Sequence, residues 1–355
     1  MIKTFQTLLL FLITSYLYSQ TKYDEKNKLA TLLIENEATE KKMPGISITI
    51  SKNDTIIFSK GFGYANIENK STINPSQTKF RIASITKTLT STVIMKLSEL
   101  GLLDTRKSIY YYLDSLPKKK YDFTINEIGG HLAGLRKVAS EEKYSCDNSY
   151  NKKDFYRVFN NDSLLFKPST KFSYSNYGFK LLGVLIEKIT HKSIIENHSE
   201  FIINKLNLKN TIPDTGVYDE NISSFYTFKD NFFSVVPCLD CNFKYAQGCY
   251  LSTTEDLNKI GNAYLYPNRI LSSRSISKLK KPQVFANNII CYGFGFSSCV
   301  DVCGNPFYGH NGSYTGSGSI LRIYPKQKFV ISILINTSVD DIDDFATRIS
   351  NIYLN

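Results

Sequence analysis

The sequence predicts an α+β fold, an antiparallel sheet flanked by helices, with a mainly helical lobe between its first and last strands. Three observations carry this expectation. Near the start, Ile46-Ser-Ile-Thr-Ile50 alternates apolar and polar residues, the signature of a strand with one buried face. Near the end, Ser319 to Tyr324 and Phe329 to Asn336 form two more strand-like runs around a turn at Pro325 to Lys328. Between them, Ile85, Leu89, Val93, Leu97 and Leu100 recur at helical spacing and define a helix with one buried face.

Taken in order, Tyr23 to Lys41 reads as a first helix. Asn53 and Asp54 supply a turn, and Thr55 to Lys60 returns as the second strand of a hairpin. The helix over residues 84–100 stops at Gly101, and a short helical piece opens at Asp104 or Thr105 and runs toward Leu113. Residues 120–240 are mixed, with helices expected over 178–190 and 194–206. Ser252-x-x-Glu255 resembles a capping box that opens another helix, and a last helix spans Asp340 to Tyr353. The simplest assembly pairs the N-terminal hairpin with the C-terminal strands. Residues 22–355 then form one domain, with an α/β lobe over about 22–80 and 245–355 and a mainly helical lobe over about 81–244. A functional site is expected in the cleft between the lobes.

The chain has 355 residues, 42% of them hydrophobic, enough to bury a sizeable core. Its first 19 residues read as a secretory signal peptide: Lys3 is a short basic start, Leu8 to Tyr18 is mostly apolar, and Ser19 is small at a plausible cleavage point. Leu17 fits the small-residue rule poorly. The expected address is exported, periplasmic or extracellular, with no stable membrane span after signal cleavage. The net charge is +11, but the lysines are scattered without an aromatic-interleaved basic stripe, so nucleic acid is not an expected partner. Seven cysteines stand at positions 146, 238, 241, 249, 291, 299 and 303. Export favours disulfides or buried thiols, and the odd count leaves at least one cysteine unpaired within the chain. Cys238-x-x-Cys241 and Cys299-x3-Cys303 have spacings seen in zinc sites, yet no histidine pair accompanies them, so no catalytic metal is expected.

Three motifs carry chemistry. In Phe80-Arg-Ile-Ala-Ser84-Ile-Thr-Lys87, Lys87 is three residues after Ser84, so on a helix its amine reaches the serine hydroxyl. Serine becomes a nucleophile when a base removes its proton, and a lysine serves as that base when burial or positive charge lowers its pKa. Tyr174 and Asn176, in Phe172-Ser-Tyr-Ser-Asn-Tyr, stand on a polar stretch before an apolar helix. They offer a proton shuttle and a hydrogen-bonding clamp. Gly309-His310-Asn-Gly312-Ser313 enters a strand, where Gly312 permits close backbone approach to a ligand and the Ser313 amide joins that of Ser84 to hold an oxyanion. Each motif alone matches many unrelated surface turns.

Together, in this order, the motifs resemble those of the serine β-lactamase and penicillin-binding-protein superfamily. The likeness is greatest to its class C β-lactamase-like branch, which includes D-stereospecific peptidases and esterases. Met43-Pro-Gly-Ile-Ser-Ile, His131-Leu-Ala-Gly-Leu135, Ala246-Gln-Gly-Cys-Tyr-Leu and Tyr292-Gly-Phe-Gly-Phe296 also fit, and the resemblance covers about 25–350. It implies an acyl-enzyme on Ser84, acid–base work shared by Lys87 and Tyr174, and Asn176 orienting Lys87 and the substrate. It implies no cofactor and no metal. The implied substrate is a small peptide, an ester or a cell-wall-derived compound. A penicillin-binding sensor that acylates without turnover, or a true β-lactamase, is the alternative. His310 stands where dedicated β-lactamases carry lysine, which moves the expectation from carboxylate-bearing substrates toward a peptidase or esterase. Gln247 replaces a residue that is small in the family. His131 reads as structural support, and His191 and His198 as surface helix residues.

Overall fold

The computed structural model describes residues 23–138, 151–237, 239, 241–285 and 287–355. Seven antiparallel strands form the main sheet: β1 Gly45–Lys52, β2 Thr55–Asn66, β3 Ser71–Thr72, β4 Ser297–Val300, β5 Pro306–Tyr314, β6 Ser317–Tyr324 and β7 Phe329–Ile335. Their order is β4-β5-β6-β7-β1-β2-β3. The first strand therefore pairs with the last, Ile46 opposite Ile335 and Ile50 opposite Ile331. The expected closure of the N-terminal hairpin onto the C-terminal strands is borne out.

Helices cover both faces. On one side lie α1, residues 23–40, and the last helix of the chain, Ile342–Leu354. Ile46, Ile48 and Ile50 pack there with Ala30, Ile34, Phe345, Ile349 and Tyr353 in an almost purely hydrocarbon layer. On the other side lie α2 Thr86–Glu99, α3 Asn176–Thr190 and α4 Thr254–Leu265. The alternation in β1 had implied a solvent-facing polar side, but β1 is buried on both faces. Ser47 and Thr49 bond Thr254 Oγ1 at 2.8 and 2.9 Å, and Asn262 donates to Ser51 Oγ at 2.8 Å. Hydroxyls and amides can fill such an interior because each finds a partner across the layer.

The helix expected over 84–100 differs in the same way. It begins with a 3-10 turn at Ala83–Ile85, and every residue from Thr86 to Met95 is buried, not one stripe. Three of its hydroxyls are satisfied by backbone carbonyls: Thr88 by Ile85, Thr92 by Thr88 and Thr90 by Ala246, each at 2.7–2.8 Å. Gly101 ends it with φ +73°.

Several smaller expectations are corrected. The short helical piece after Asp104 is a single 3-10 turn at Ile109–Tyr111. The helix expected over 194–206 is α-helical only at Ile194–His198 and continues as a π turn at Ser199–Ile203. The cap of α4 is Thr253, which accepts from the Asp256 amide; Ser252 belongs to the short strand Tyr250–Ser252. His198 is not on the surface. It is fully buried, with Thr90 Oγ1 at 3.1 Å and Tyr250 Oη at 3.0 Å; His191 is exposed as expected. The expected disulfides are found at Cys241–Cys249 and Cys291–Cys299, while Cys303 is an exposed thiol. Cys146, Cys238 and residues 1–19 lie outside the described residues. No described helix is long and apolar enough to cross a membrane.

Candidate active site

The backbone places Ser84 first. Strand β5 runs against the 3-10 turn so closely that a methyl group at Gly312 would lie 2.3 Å from the Ile82 carbonyl and 2.9 Å from Ala83 Cβ. Glycine is thus required there to seat the serine turn on the sheet, a closer role than the ligand approach expected of it. Ser319 Oγ donates to the same Ile82 carbonyl at 2.9 Å. Ala83 takes φ +44°, a left-handed conformation that costs an alanine about 1–2 kcal/mol. Strain of this kind survives only where neighbours fix the backbone, and here it sits one residue before Ser84.

Lys87 lies one turn on and is fully buried. Its Nζ is 3.0 Å from Ser84 Oγ and 2.8 Å from the Gln247 carbonyl. Its ammonium has no ion-pair partner among the described residues, and burial holds its pKa well below the ordinary lysine value. The rings of Tyr174 and Phe179 face Nζ at 5.0 and 5.5 Å from their centroids. Burial thus disfavours the ammonium and suits this amine to take a proton from the serine.

Tyr174 is fixed by the residues around it. His131 Nδ1 accepts from the Ser175 amide at 3.0 Å, and its carbonyl accepts from the Ser173 amide. Ser175 caps α3 by accepting from Gly178, and its hydroxyl donates to the Arg136 carbonyl at 2.6 Å. The His131 ring stacks 4.3 Å from that of Tyr174. Burial, then the Lys87 charge, keeps His131 well below its ordinary pKa, so it is a neutral brace, as its sequence context suggested. Asn176 opens α3, but the partners of Lys87 Nζ are Ser84 and Gln247; Asn176 does not orient the lysine as the resemblance implied. Its Oδ1 is buried without a hydrogen bond among the described residues.

His310 lies on β5, buried, opposite Leu321. Its Nδ1 is 2.5 Å from the Asn311 carbonyl and its Nε2 is 2.9 Å from Tyr292 Oη. Burial and the Lys87 charge hold its pKa down to about 3. Ser313 follows on the same strand, exposed, paired with Gly318. The structure thus brings Ser84, Lys87 and Tyr174 together, with His310 beside them.

Two contributors escaped the sequence. The lysine is anchored by the Gln247 carbonyl, a backbone atom whose identity no motif encodes; the unusual glutamine beside Gly248 was the only signal. Tyr292 fell within a recognised segment, but its bond to His310 was not foreseen. Each belongs to a disulfide-closed loop: Gln247 lies between Cys241 and Cys249, and Tyr292 between Cys291 and Cys299.

The sequence profile of the Beta-lactamase family matches residues 30–351. The chain belongs to the beta-lactamase family. Among its relatives in that family, the serine beta-lactamase-like protein LACTB, mitochondrial, of Homo sapiens is 29% identical over 296 residues, covering 63% of this chain and 53% of its own length. Protein flp of Staphylococcus aureus strain MW2 is 26% identical over 323 residues, 88% of this chain and 63% of its own. The chain thus spans between about half and two thirds of these relatives. The octameric penicillin-binding protein homologue from Pyrococcus abyssi superposes with TM-score 0.82 at 24% identity, covering 92% of this chain and 77% of that one. The D-amino acid amidase from Ochrobactrum anthropi SV3, complexed with D-phenylalanine, does so with TM-score 0.81 at 21% identity, covering 94% and 99%. These superpositions establish the beta-lactamase-like fold of this family member.

Proposed function

We propose that this chain is an exported serine hydrolase that cleaves an amide or ester through an acyl-enzyme on Ser84, as a peptidase or esterase favouring substrates without a terminal carboxylate. The observation that carries the proposal is the fully buried Lys87, 3.0 Å from Ser84 Oγ and without an ion-pair partner among the described residues. A solvated surface lysine would be protonated and idle; this one is positioned as a base. Its lone pair takes the Ser84 proton as Oγ attacks the substrate carbonyl. The resulting ammonium is held against the faces of Tyr174 and Phe179 and is destabilised by burial, which favours passing the proton on to the leaving nitrogen or oxygen, with Tyr174 as the second proton carrier. Expulsion of that group leaves the acyl-enzyme, and water then releases the acid and restores the serine.

The substrate preference is supported by His310. A lysine there would offer a permanent cation; a buried, neutral imidazole with both nitrogens engaged does not. Two disulfides among the described cysteines support export to an oxidising compartment.

The test is intact-mass analysis after a fluorophosphonate, followed by a panel of esters, D-amino-acid amides and β-lactams. One adduct is expected, lost in Ser84→Ala; labelling that persists in that variant would overturn the assignment. Turnover of esters or amides is expected to exceed that of β-lactams. Stable acylation without turnover of any panel member would favour the penicillin-binding sensor instead.

A further inference from the structure

We propose that Tyr292 is a positioning residue of this site: its hydroxyl caps Nε2 of His310, holds the ring in one orientation and keeps a second proton off that atom, and so makes the site select uncharged groups over carboxylates. The selectivity rests on the hydrolase reading above; the positioning rests on geometry alone.

The Asn311 carbonyl can only accept a hydrogen bond. Its partner at 2.5 Å, His310 Nδ1, therefore carries the ring proton. In the neutral ring Nε2 is then a lone pair, and the Tyr292 hydroxyl 2.9 Å away must donate to it. With both nitrogens engaged, the imidazole has no N–H to offer an anion. The groups facing it are Tyr292, Tyr174, His131, Lys87 and, through Asn311, Asp343. Among these, Lys87 and His131 oppose a charge on His310, Asp343 favours one, and Tyr292 occupies the atom where the proton would go.

Tyr292 is built to hold that place. It is 6% exposed, and its ring packs 4.7 Å from His131 and edge-on to Tyr174 and His310. Its amide donates to the Ile290 carbonyl at 2.7 Å, and its own carbonyl accepts from Gln283 at 2.8 Å. It bridges to Ser297 just inside the Cys291–Cys299 disulfide. Tyr292→Phe keeps this packing but removes the donor. Nε2 then loses its hydrogen-bond donor while the Asn311 carbonyl still holds the proton on Nδ1, so the change open to the ring is to take up a second proton at Nε2. That change presents an N–H to the substrate.

The experiment reads the ring directly. In protein labelled with 15N-histidine, long-range 1H–15N spectra are recorded between pH 5 and 8, with His310 assigned by the signal lost in His310→Gln. The wild type is expected to show His310 as the Nδ1–H tautomer without titration, and Tyr292→Phe to bring its titration into this range. An Nε2–H tautomer in the wild type, or an unchanged His310 in Tyr292→Phe, overturns the positioning role whether or not a substrate is known. The second reading compares a peptide ester carrying a free carboxylate with its amide-capped twin. At pH 6, Tyr292→Phe is expected to raise the ratio of kcat/KM for the two about tenfold, through KM for the carboxylate, the worth of one charge-assisted hydrogen bond. An equal loss on both substrates overturns the selectivity half.

Discussion

The two faces of the central sheet are built from different materials. Toward α1 and the C-terminal helix, Ile46, Ile48, Ile50, Ile331, Ile333 and Phe345 make a layer of hydrocarbon. Toward α2 and α4, Ser47, Thr49, Ser51, Thr254, Asn258 and Asn262 make a layer joined by hydrogen bonds. The active-site turn, the buried lysine and the three buried histidines all belong to that second side. Hydrocarbon layers stabilise without regard to direction, whereas hydrogen-bonded ones fix direction at small net gain. The contrast teaches that one face stabilises by hydrocarbon alone, whereas the other adds to a large apolar core, including Leu89, Leu257, Leu321 and Val330, the hydrogen bonds that give reactive groups their geometry.

The sharpest way to break that division is at Lys87. Lys87→Met should lower kcat/KM on the order of 10^3-fold while leaving Tm unchanged or higher, because a buried amine is replaced by a side chain of similar shape with nothing to desolvate. A large fall in Tm would mean that the lysine supports the fold. The complementary change is Phe345→Ala, expected to cost about 3–5 kcal/mol in urea denaturation with kcat per folded molecule unaltered; a changed kcat would show that the layers are coupled.

Acid should discriminate between the faces next. His131, His198 and His310 each have a folded pKa below the ordinary 6.5, chiefly through burial. In acid the unfolded chain binds protons that the folded chain refuses. Stability is therefore full above about pH 6.5 and falls below it, by up to ~1.4 kcal/mol per pH unit for each histidine. Between pH 6.5 and 5 the carboxylates held down by bonding, Glu37 and Glu99, have yet to contribute. Melting temperatures in that interval should drop, and less steeply in His198→Gln; a flat profile would contradict the neutral assignments. The smallest effect is expected at Thr254, where Thr254→Val strands the Ser47 hydroxyl and leaves Thr49 its bond to Ser59, and should cost about 1–3 kcal/mol, with Thr254→Ser near wild type.

The hydrocarbon face was legible in the sequence because a period of two at Ile46, Ile48 and Ile50 has one meaning. The polar face was not. Ser47 and Thr49 look like solvent-facing residues until α4, some two hundred positions later, lies over them. His198 misled for the same reason, since its partners Thr90 and Tyr250 stand 108 and 52 positions away. The Ser84–Lys87 pairing was readable because helical spacing alone sets it, and the 3.0 Å contact follows. The lysine's other anchor is a carbonyl of Gln247, 160 positions away, and main-chain atoms leave no mark in a side-chain motif.

The two disulfide loops carry a consequence for how the enzyme comes to be. Each bond lies outside the two large cores and closes a short ring, eight positions across, that delivers one contact to the site, Gln247 to the lysine or Tyr292 to the histidine. A reduced chain has every sheet pairing and both packed layers still available to it, yet lacks the clamps that finish the reactive centre. Competence is then expected to be acquired after the fold, as a separate oxidative step of maturation. Refolding under reducing conditions and following far-UV signal, free thiols and ester turnover on one clock distinguishes the alternatives: activity that lags the fold and tracks thiol loss supports this order, and activity complete before the thiols disappear contradicts it.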